Sequence, residues 1–352
     1  MKTVGIIGAS GYTGGELLRI LVNHPEADLK VATSREYAGE PVFRLHPQLR
    51  KLTDLKFVEP DVEKIAQSCE YVFLALPHGA SASVAKKLLE LGAKVIDLSA
   101  DFRLKDKEDY PKWYGWEHPC PELLPEAVFG LPELHREQIK NARLIANPGC
   151  IATASILSLA PAMKLGGIEK NRFVVDAKIG SSGAGTSVSI SSHHPEHSGV
   201  VRAYKPAMHR HTAEIEQELR YVGKTTDVTI AMTPHAVDMV RGIMATGHSF
   251  LTRDVTNQEL WKVYREMYHN EPFVRIVRDH KGLHMLPDPK NVVGSNFCDV
   301  GFELDPHAKR LITFGAIDNL LKGAAGQAIQ NFNIMLGVDE TTGIRFAGVR
   351  PI

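Results

Sequence analysis

At 352 residues, with 43% apolar and 23% charged side chains, the chain can bury two cores and has an ordinary globular composition. Its 41 basic residues balance 41 acidic ones, so no overall field draws it to nucleic acid or to a membrane surface. No apolar run approaches the ~20 residues that span a bilayer, and the first residues form no signal peptide. Cys69, Cys120, Cys150 and Cys298 are scattered without a CxxC pair, so we expect a cytoplasmic chain with no disulfide framework and no zinc site.

In chain order, Thr3–Ile7 reads as a short buried strand leading into Gly8-Ala9-Ser10-Gly11-Tyr12-Thr13-Gly14-Gly15. A helix follows, with Leu17, Leu18, Leu21 and Val22 on one face, stopped at His24-Pro25. Strands are predicted at Leu29–Thr33, Tyr71–Leu76, Lys94–Leu98 and Ala142–Ala146, with a helix over Ser81–Leu91. That alternation predicts a parallel, doubly wound sheet. The Pro- and aromatic-rich stretch 109–125 reads as a loop. Beyond residue 150, strands are predicted at Arg172–Ala177, Asp227–Ile230 and Gly242–Thr246, and helices at Thr212–Tyr221 and Asn257–Tyr268. Asp299–Leu304 and Arg310–Phe314 face each other across a four-residue turn, which predicts a hairpin and a mostly antiparallel α+β unit. Gly323–Leu336 reads as the last helix.

Asn147-Pro148-Gly149-Cys150 is the turn that decides the chemistry. Proline ends the strand, glycine allows a tight turn, and Cys150 enters the first turn of a helix. There the unpaired N–H groups favour a thiolate, which at an ordinary thiol pKa of ~8.5 is only roughly 3% populated at pH 7. A nucleophile and an inert packed thiol both remain open from the turn alone. Gly8, Gly11 and Gly14 lie between strand and helix, the context of a dinucleotide-binding turn, spaced GxxGxxG. Ser34-Arg35 ends the second strand where NAD enzymes carry a carboxylate, and a cation there suits the 2′-phosphate of NADP(H). Leu76-Pro77 and Ser99 follow later strands, where ligands of open sheets gather. Ser181, Ser182 and Gly183 end a strand beyond Cys150. Histidines are dense at His193, His194, His197, His209 and His211, but carboxylate and thiolate co-ligands at helical spacing are missing, so no metal is expected. An imidazole paired with the thiol is the better use for one of them, and Thr212 is the expected N-cap of the helix beside them. Arg241 offers a further cation.

Gly8-Ala9-Ser10-Gly11-Tyr12-Thr13-Gly14, Asn147–Cys150, Gly183-Ala184-Gly185, His209-Arg210-His211-Thr212-Ala213-Glu214-Ile215, Gly294–Asp299 and Ile317–Ala328 together resemble the N-acetyl-γ-glutamyl-phosphate reductase family. Aspartate-semialdehyde dehydrogenases are its relatives. Within the family, the cysteine is usually followed by Tyr-Pro, whereas Ile151-Ala152 stands here. Ser191–Glu196 and Leu286–Lys290 are similar instead to the LysY branch, whose substrates ride on the small acidic carrier protein LysW.

The resemblance implies a Rossmann-type NADP-binding domain at 1–149 and 322–352, and a catalytic and dimerisation domain at 150–321. It implies NADPH-dependent reduction of an aminoadipyl or glutamyl phosphate through a Cys150 thioester, in lysine and/or arginine biosynthesis. His209 is the implied acid/base with His211 its rival. Gly8, Ala9, Ser10, Gly11, Tyr12, Thr13, Gly14, Ser34, Arg35, Leu76, Pro77, Ser99, Ser182, Gly183 and Asn319 are expected at the cofactor. Asn147, Ser181, His193, Arg202, Lys205, His211 and Arg241 are expected at the substrate. A homodimer or tetramer is expected, with Arg202, Lys205, Arg275, Arg278 and Lys281 as a basic rim for the carrier. The alternatives are the free N-acetyl substrate of the ordinary arginine pathway, and an inactive NADP-sensing protein.

Overall fold

The computed structural model describes residues 1–350, and these divide into two compact units. Met1–Pro148 with Ala324–Arg345 forms the first, and Gly149–Gly323 the second. Residues 346–350 also belong to the second, where Val349 N–H donates to Val293 O at 2.8 Å. The expected boundaries therefore shift: residues 149, 322, 323 and 346–350 fall in the second unit.

The first unit runs β1 (Lys2–Ile7), α1 (Tyr12–Leu21), β2 (Ala27–Thr33), α2 (Val42–Leu45), β3 (Phe57–Val58), α3 (Val62–Ser68) and β4 (Tyr71–Leu74). It continues with α4 (Ala82–Glu90), β5 (Lys94–Asp97), α5 (Asp109–Trp113), β6 (Val128–Phe129), α6 (Pro132–Lys140) and β7 (Leu144–Ala146). All strand pairs are parallel, in the order β3-β2-β1-β4-β5-β7-β6. The order reverses between β1 and β4, so the glycine turn opens at the switch point where such sheets bind ligands. Leu17, Leu18 and Leu21 of α1 are buried, as their spacing predicts. The stretch 109–125 is more than a loop: it holds α5, and the fully buried Tyr110 hydroxyl donates to Leu104 O and accepts from Leu104 N–H.

The second unit opens with α7 (Cys150–Leu165) and β8 (Ile168–Ile179). After these come α8 (His194–His197), β9 (Val201–Ala203), α9 (His211–Gly223), β10 (Ile230–Val237), β11 (Ile243–Leu251) and α10 (Asn257–Tyr268). β12 (Val274–Ile276), β13 (Cys298–Asp305) and β14 (Arg310–Ile317) complete it; α11 (Ala325–Leu336) then returns to the first unit. The sheet order is β12-β13-β14-β11-β8-β10-β9, mixed and mostly antiparallel, and β13 and β14 form the expected hairpin. The strand expected at Asp227–Ile230 instead begins at Ile230 and runs through Pro234, pairing with β8 from Phe173 to Ile179. Proline argues against a strand from sequence, which hid it.

α7 is buried from Ile151 to Met163 and lies on the sheet. A side chain at Gly315 would strike Ala154 O, and one at Gly247 would strike Leu159. Pro161 interrupts this helix and, lacking an N–H, leaves the carbonyl of Leu157 without its helical donor. The Tyr268 hydroxyl supplies the bond at 2.6 Å, and Tyr264 donates to the neighbouring Ser158 O at 2.9 Å. Tyr268→Phe should therefore destabilise the protein by about 1–3 kcal/mol, the cost of an unmade buried bond. Tyr264→Phe should cost less, because Ser158 O keeps a helical donor; urea unfolding of the two variants checks the order.

Candidate active site

In the first unit, the glycine turn is shaped by backbone approach. Gly8 has φ +90° and a Cβ there would lie 2.5 Å from Ala75 O; a Cβ at Gly14 would lie 2.6 Å from Gly8 O and Ala9 Cα. Gly11 caps α1 without a side-chain hydrogen bond and has open space where a Cβ would stand. The backbone N–H groups of Ser10, Gly11, Tyr12 and Thr13 have no protein acceptor among the described residues. Such a cradle fits a pyrophosphate at a helix N-terminus. Arg35 is exposed and makes no ion pair among the described residues, whereas Ser34 is buried and its Oγ accepts from Tyr37 N–H. Leu76 flanks Gly8, and Pro77 follows it beyond β4.

Ser99 is not open to a ligand. It is buried, donating to Asp97 Oδ2 at 2.7 Å and accepting from Asp101 N–H at 3.1 Å. Burial first, then the Asp101 charge, pushes the Asp97 carboxyl up to about 7. Asn147 is likewise inward. Its N–H donates to Asp97 O (2.8 Å), its carbonyl accepts from Arg103 Nε (2.8 Å), its Nδ2 donates to Ala324 O (3.2 Å) and its Oδ1 accepts from Asn331 Nδ2 (3.2 Å). It is fully buried, and these bonds anchor the turn.

In the second unit, Gly149 (φ −70°, ψ 146°) is the N-cap of α7, and Cys150 is its first residue, half-buried. Gly149 N–H donates to Glu214 Oε2 at 2.8 Å, and Glu214 is fully buried. Glu214 Oε1 lies 3.9 Å from His211 Nε2. The His211 ring packs edge-on to His209, with centroids 4.9 Å apart, and His209 Nδ1 accepts from His211 N–H. His209 lies between Lys205 and Met208 on one side, both at positive φ, and α9 on the other; those two conformations mark a held loop. Burial, then Arg210 and Lys205, lowers His209 to about 4. Tyr204 stands against His209, its phenol pushed up by burial and then by the Cys150 charge. Thr212 is inside α9 and caps nothing; Arg210 holds the N-cap position.

Glu214 and Tyr204 were not singled out as site residues from the sequence. Glu214 had a readable signal, three residues after His211 and so on the same helix face. Gly323 packs on the cysteine: a Cβ there would fall 2.7 Å from Cys150 Cβ.

Other residues expected at the ligands also bond within the second unit. Asn319 accepts from Gly242 N–H and donates to Ser182 Oγ, which donates to Val240 O. Ser181 N–H donates to Met239 O, and Gly183 fits against Ile179. Arg241 pairs with Asp318 at 3.3 Å, and Arg202 donates to Glu196 O. His193 is exposed and precedes α8. Arg275 binds Asp299 through two bonds and Arg278 pairs with Glu303. No group of three metal-ligating side chains occurs among the described residues.

A parallel sheet with a dinucleotide turn at its switch point, joined to an α+β unit that opens on a cysteine, defines a dinucleotide-dependent oxidoreductase. The semialdehyde dehydrogenase NAD-binding domain model matches residues 3–142, and the semialdehyde dehydrogenase dimerisation domain model matches 150–319. The chain belongs to the semialdehyde dehydrogenase family. It is 51% identical, over 99% of its length and 98% of the relative's, to (LysW)-L-2-aminoadipate/(LysW)-L-glutamate phosphate reductase of Saccharolobus solfataricus. A putative protein of the same description from Cenarchaeum symbiosum is 54% identical over 99% of both chains. A putative (LysW)-L-2-aminoadipate 6-phosphate reductase of Thermomicrobium roseum is 52% identical over 99% of both. Among solved structures, aspartate semialdehyde dehydrogenase II of Vibrio cholerae superposes with TM-score 0.70 at 18% identity, over 96% of this chain and 98% of that one, a likeness of fold.

His209 makes stability depend on pH. Its folded pKa lies below the ordinary 6.5, so the unfolded chain binds the proton first as pH falls. The stability associated with the neutral ring is present above pH 6.5 and is lost as pH drops toward 4, by roughly 2–4 kcal/mol. His209→Asn should flatten the curve of unfolding free energy over that window; an unchanged slope would place the titrating group elsewhere.

Proposed function

We propose that the chain reduces the acyl phosphate of LysW-linked aminoadipate or glutamate to the semialdehyde with NADPH, in lysine and/or arginine biosynthesis. The observation that carries this reading is the identity of 51–55%, over essentially the whole chain, with relatives bearing that description. Ile151-Ala152 after the cysteine supports the carrier-linked substrate over the free N-acetyl one.

The chemistry is covalent. The Cys150 thiolate attacks the acyl carbon, the C–O bond to phosphate breaks, and a thioester forms as phosphate leaves. NADPH held at the glycine turn would supply a hydride to the thioester carbon, giving the tetrahedral thiohemiacetal anion. Collapse of that adduct breaks the C–S bond, releases the aldehyde and returns the thiolate. The N–H groups of Ile151 and Ala152, which have no protein acceptor among the described residues, suit an oxyanion at the start of α7. Of the two histidines, the geometry favours His211 as acid/base, because the buried Glu214 carboxylate can balance its imidazolium. His209, held near pKa 4, stays neutral and takes the His211 N–H, orienting the pair.

Exposed Arg35 supports NADPH over NADH, since only the former presents a 2′-phosphate. We also propose a homodimer or tetramer formed through the second unit, in keeping with the dimerisation-domain match. No helix among the described residues is long and apolar enough to cross a membrane; a cytoplasmic location remains our proposal.

The deciding experiment offers the enzyme LysW-linked aminoadipyl and glutamyl phosphates beside free N-acetylglutamyl phosphate. Carrier-linked substrates should turn over, and mass spectrometry without NADPH should find an acyl group on Cys150. Turnover of the free substrate, with no carrier binding at low salt, would return the chain to the ordinary arginine pathway. NADPH binding with no turnover of any acyl phosphate would make it a sensor. His211→Asn should slow turnover by roughly 10²–10⁴-fold, the usual range for an acid–base group; a crippled His209→Asn beside a normal His211→Asn would reverse their roles. Arg35→Ala should weaken NADPH far more than NADH, and equal losses would refute the assignment.

A further inference from the structure

His46 lies outside every motif described above, yet it is buried against the glycine turn. It follows α2, beyond the segment that carries Ser34 and Arg35, and its Nε2 lies 2.9 Å from Ala9 O. Since the partner is a carbonyl, Nε2 carries the proton and donates. The other end of the Ala9 residue is held as well, its N–H donating to Thr33 O at 2.9 Å. The next residues, Ser10 to Thr13, have the unaccepted N–H groups of the cradle. The ring also fills the space over α1: a Cβ on Gly15 would fall 2.7 Å from its Cε1 and Nδ1. From there the packing continues away from the turn. His46 meets Phe57 edge-on at 6.2 Å, and Phe57 meets Tyr37, two residues beyond Arg35, at 6.2 Å.

We propose that His46 is a positioning residue of the dinucleotide site, holding Ala9 so that the N–H groups after it face the pyrophosphate and tying that turn to the segment bearing Arg35. The inference rests on the reading of the glycine turn as the NADPH site. Two independent features support it. A hydrogen bond fixes one peptide at the entrance to the cradle, and a helical glycine stands where alanine has the better helix propensity but its methyl would push the ring away. Fixing the peptide beforehand removes ordering cost from cofactor binding, so the effect appears in affinity and not in the chemical step.

The test measures NADPH binding by fluorescence titration, together with kcat at saturating NADPH and the rate of Cys150 alkylation by iodoacetamide. His46→Ala should raise the NADPH Kd about ten-fold, the effect of one buried hydrogen bond. kcat and the alkylation rate should stay near wild type, and His46→Gln, which keeps a donor, should restore part of the affinity. Gly15→Ala should weaken NADPH similarly by displacing the ring, while adding no further loss in the His46→Ala background. If His46→Ala fails to fold, the Gly15→Ala variant and its restoration by His46→Gln carry the test. NADPH affinity within two-fold of wild type in both single variants would overturn the role of His46. Losses that multiply in the double variant would overturn it too. A wild-type enzyme that binds no dinucleotide would overturn the reading of the glycine turn itself.

Discussion

A fully buried glutamate connects the turn before Cys150 to the histidines at the start of α9. Glu214 takes the Gly149 N–H with one oxygen and places the other 3.9 Å from His211. Burying a polar group costs free energy unless it is hydrogen-bonded, and the Gly149 N–H offsets part of that cost. That bond holds the peptide before Cys150 in place, with the His211 ring close to the other oxygen. Alone, a carboxylate near Cys150 would oppose the thiolate. The N–H groups of Ile151 and Ala152 at the start of α7, which have no protein acceptor among the described residues, favour an anion there. One buried group thus links the peptide before Cys150 to the histidine pair of α9.

Much of this was legible because it is periodic. Strands with continuous apolar runs, the helix after the glycine turn and the β13–β14 hairpin all carry patterns of four residues or more. What escaped has no period. β3 and β6 are two residues each, and β10 is interrupted by Pro234. His46 contacts a carbonyl 37 residues away, and nothing local marks such a contact.

The glycine turn and the cysteine turn were readable as backbone devices, and their backbone behaves accordingly. The direction of polar side chains was not readable. Asn147, Ser99, Ser182 and Asn319 stand in motif positions that suggest ligands, yet each uses its polar atoms within its own unit. A short polar side chain beside a turn can bond outward to a ligand or inward to a neighbouring peptide, and both choices leave the same letters in the sequence.

The inward choice has a physical advantage at Asn147. α11, expected as the last helix, buries Gln327, Gln330, Asn331 and Asn333. Gln327 and Asn331 both donate to Gly130 O, and Asn331 also reaches Asn147 Oδ1. Apolar packing in these places would stabilise the unit as well or better, since a net hydrogen bond contributes only about 1 kcal/mol. Directional bonds instead select one geometry, because a misplaced amide in a dry interior loses its partners outright. Together with Arg103 on its carbonyl and Asp97 O on its N–H, they leave the Asn147 peptide one orientation. The proline that follows then fixes its own φ near −65°, so the backbone at this end of the first unit is set before any ligand arrives.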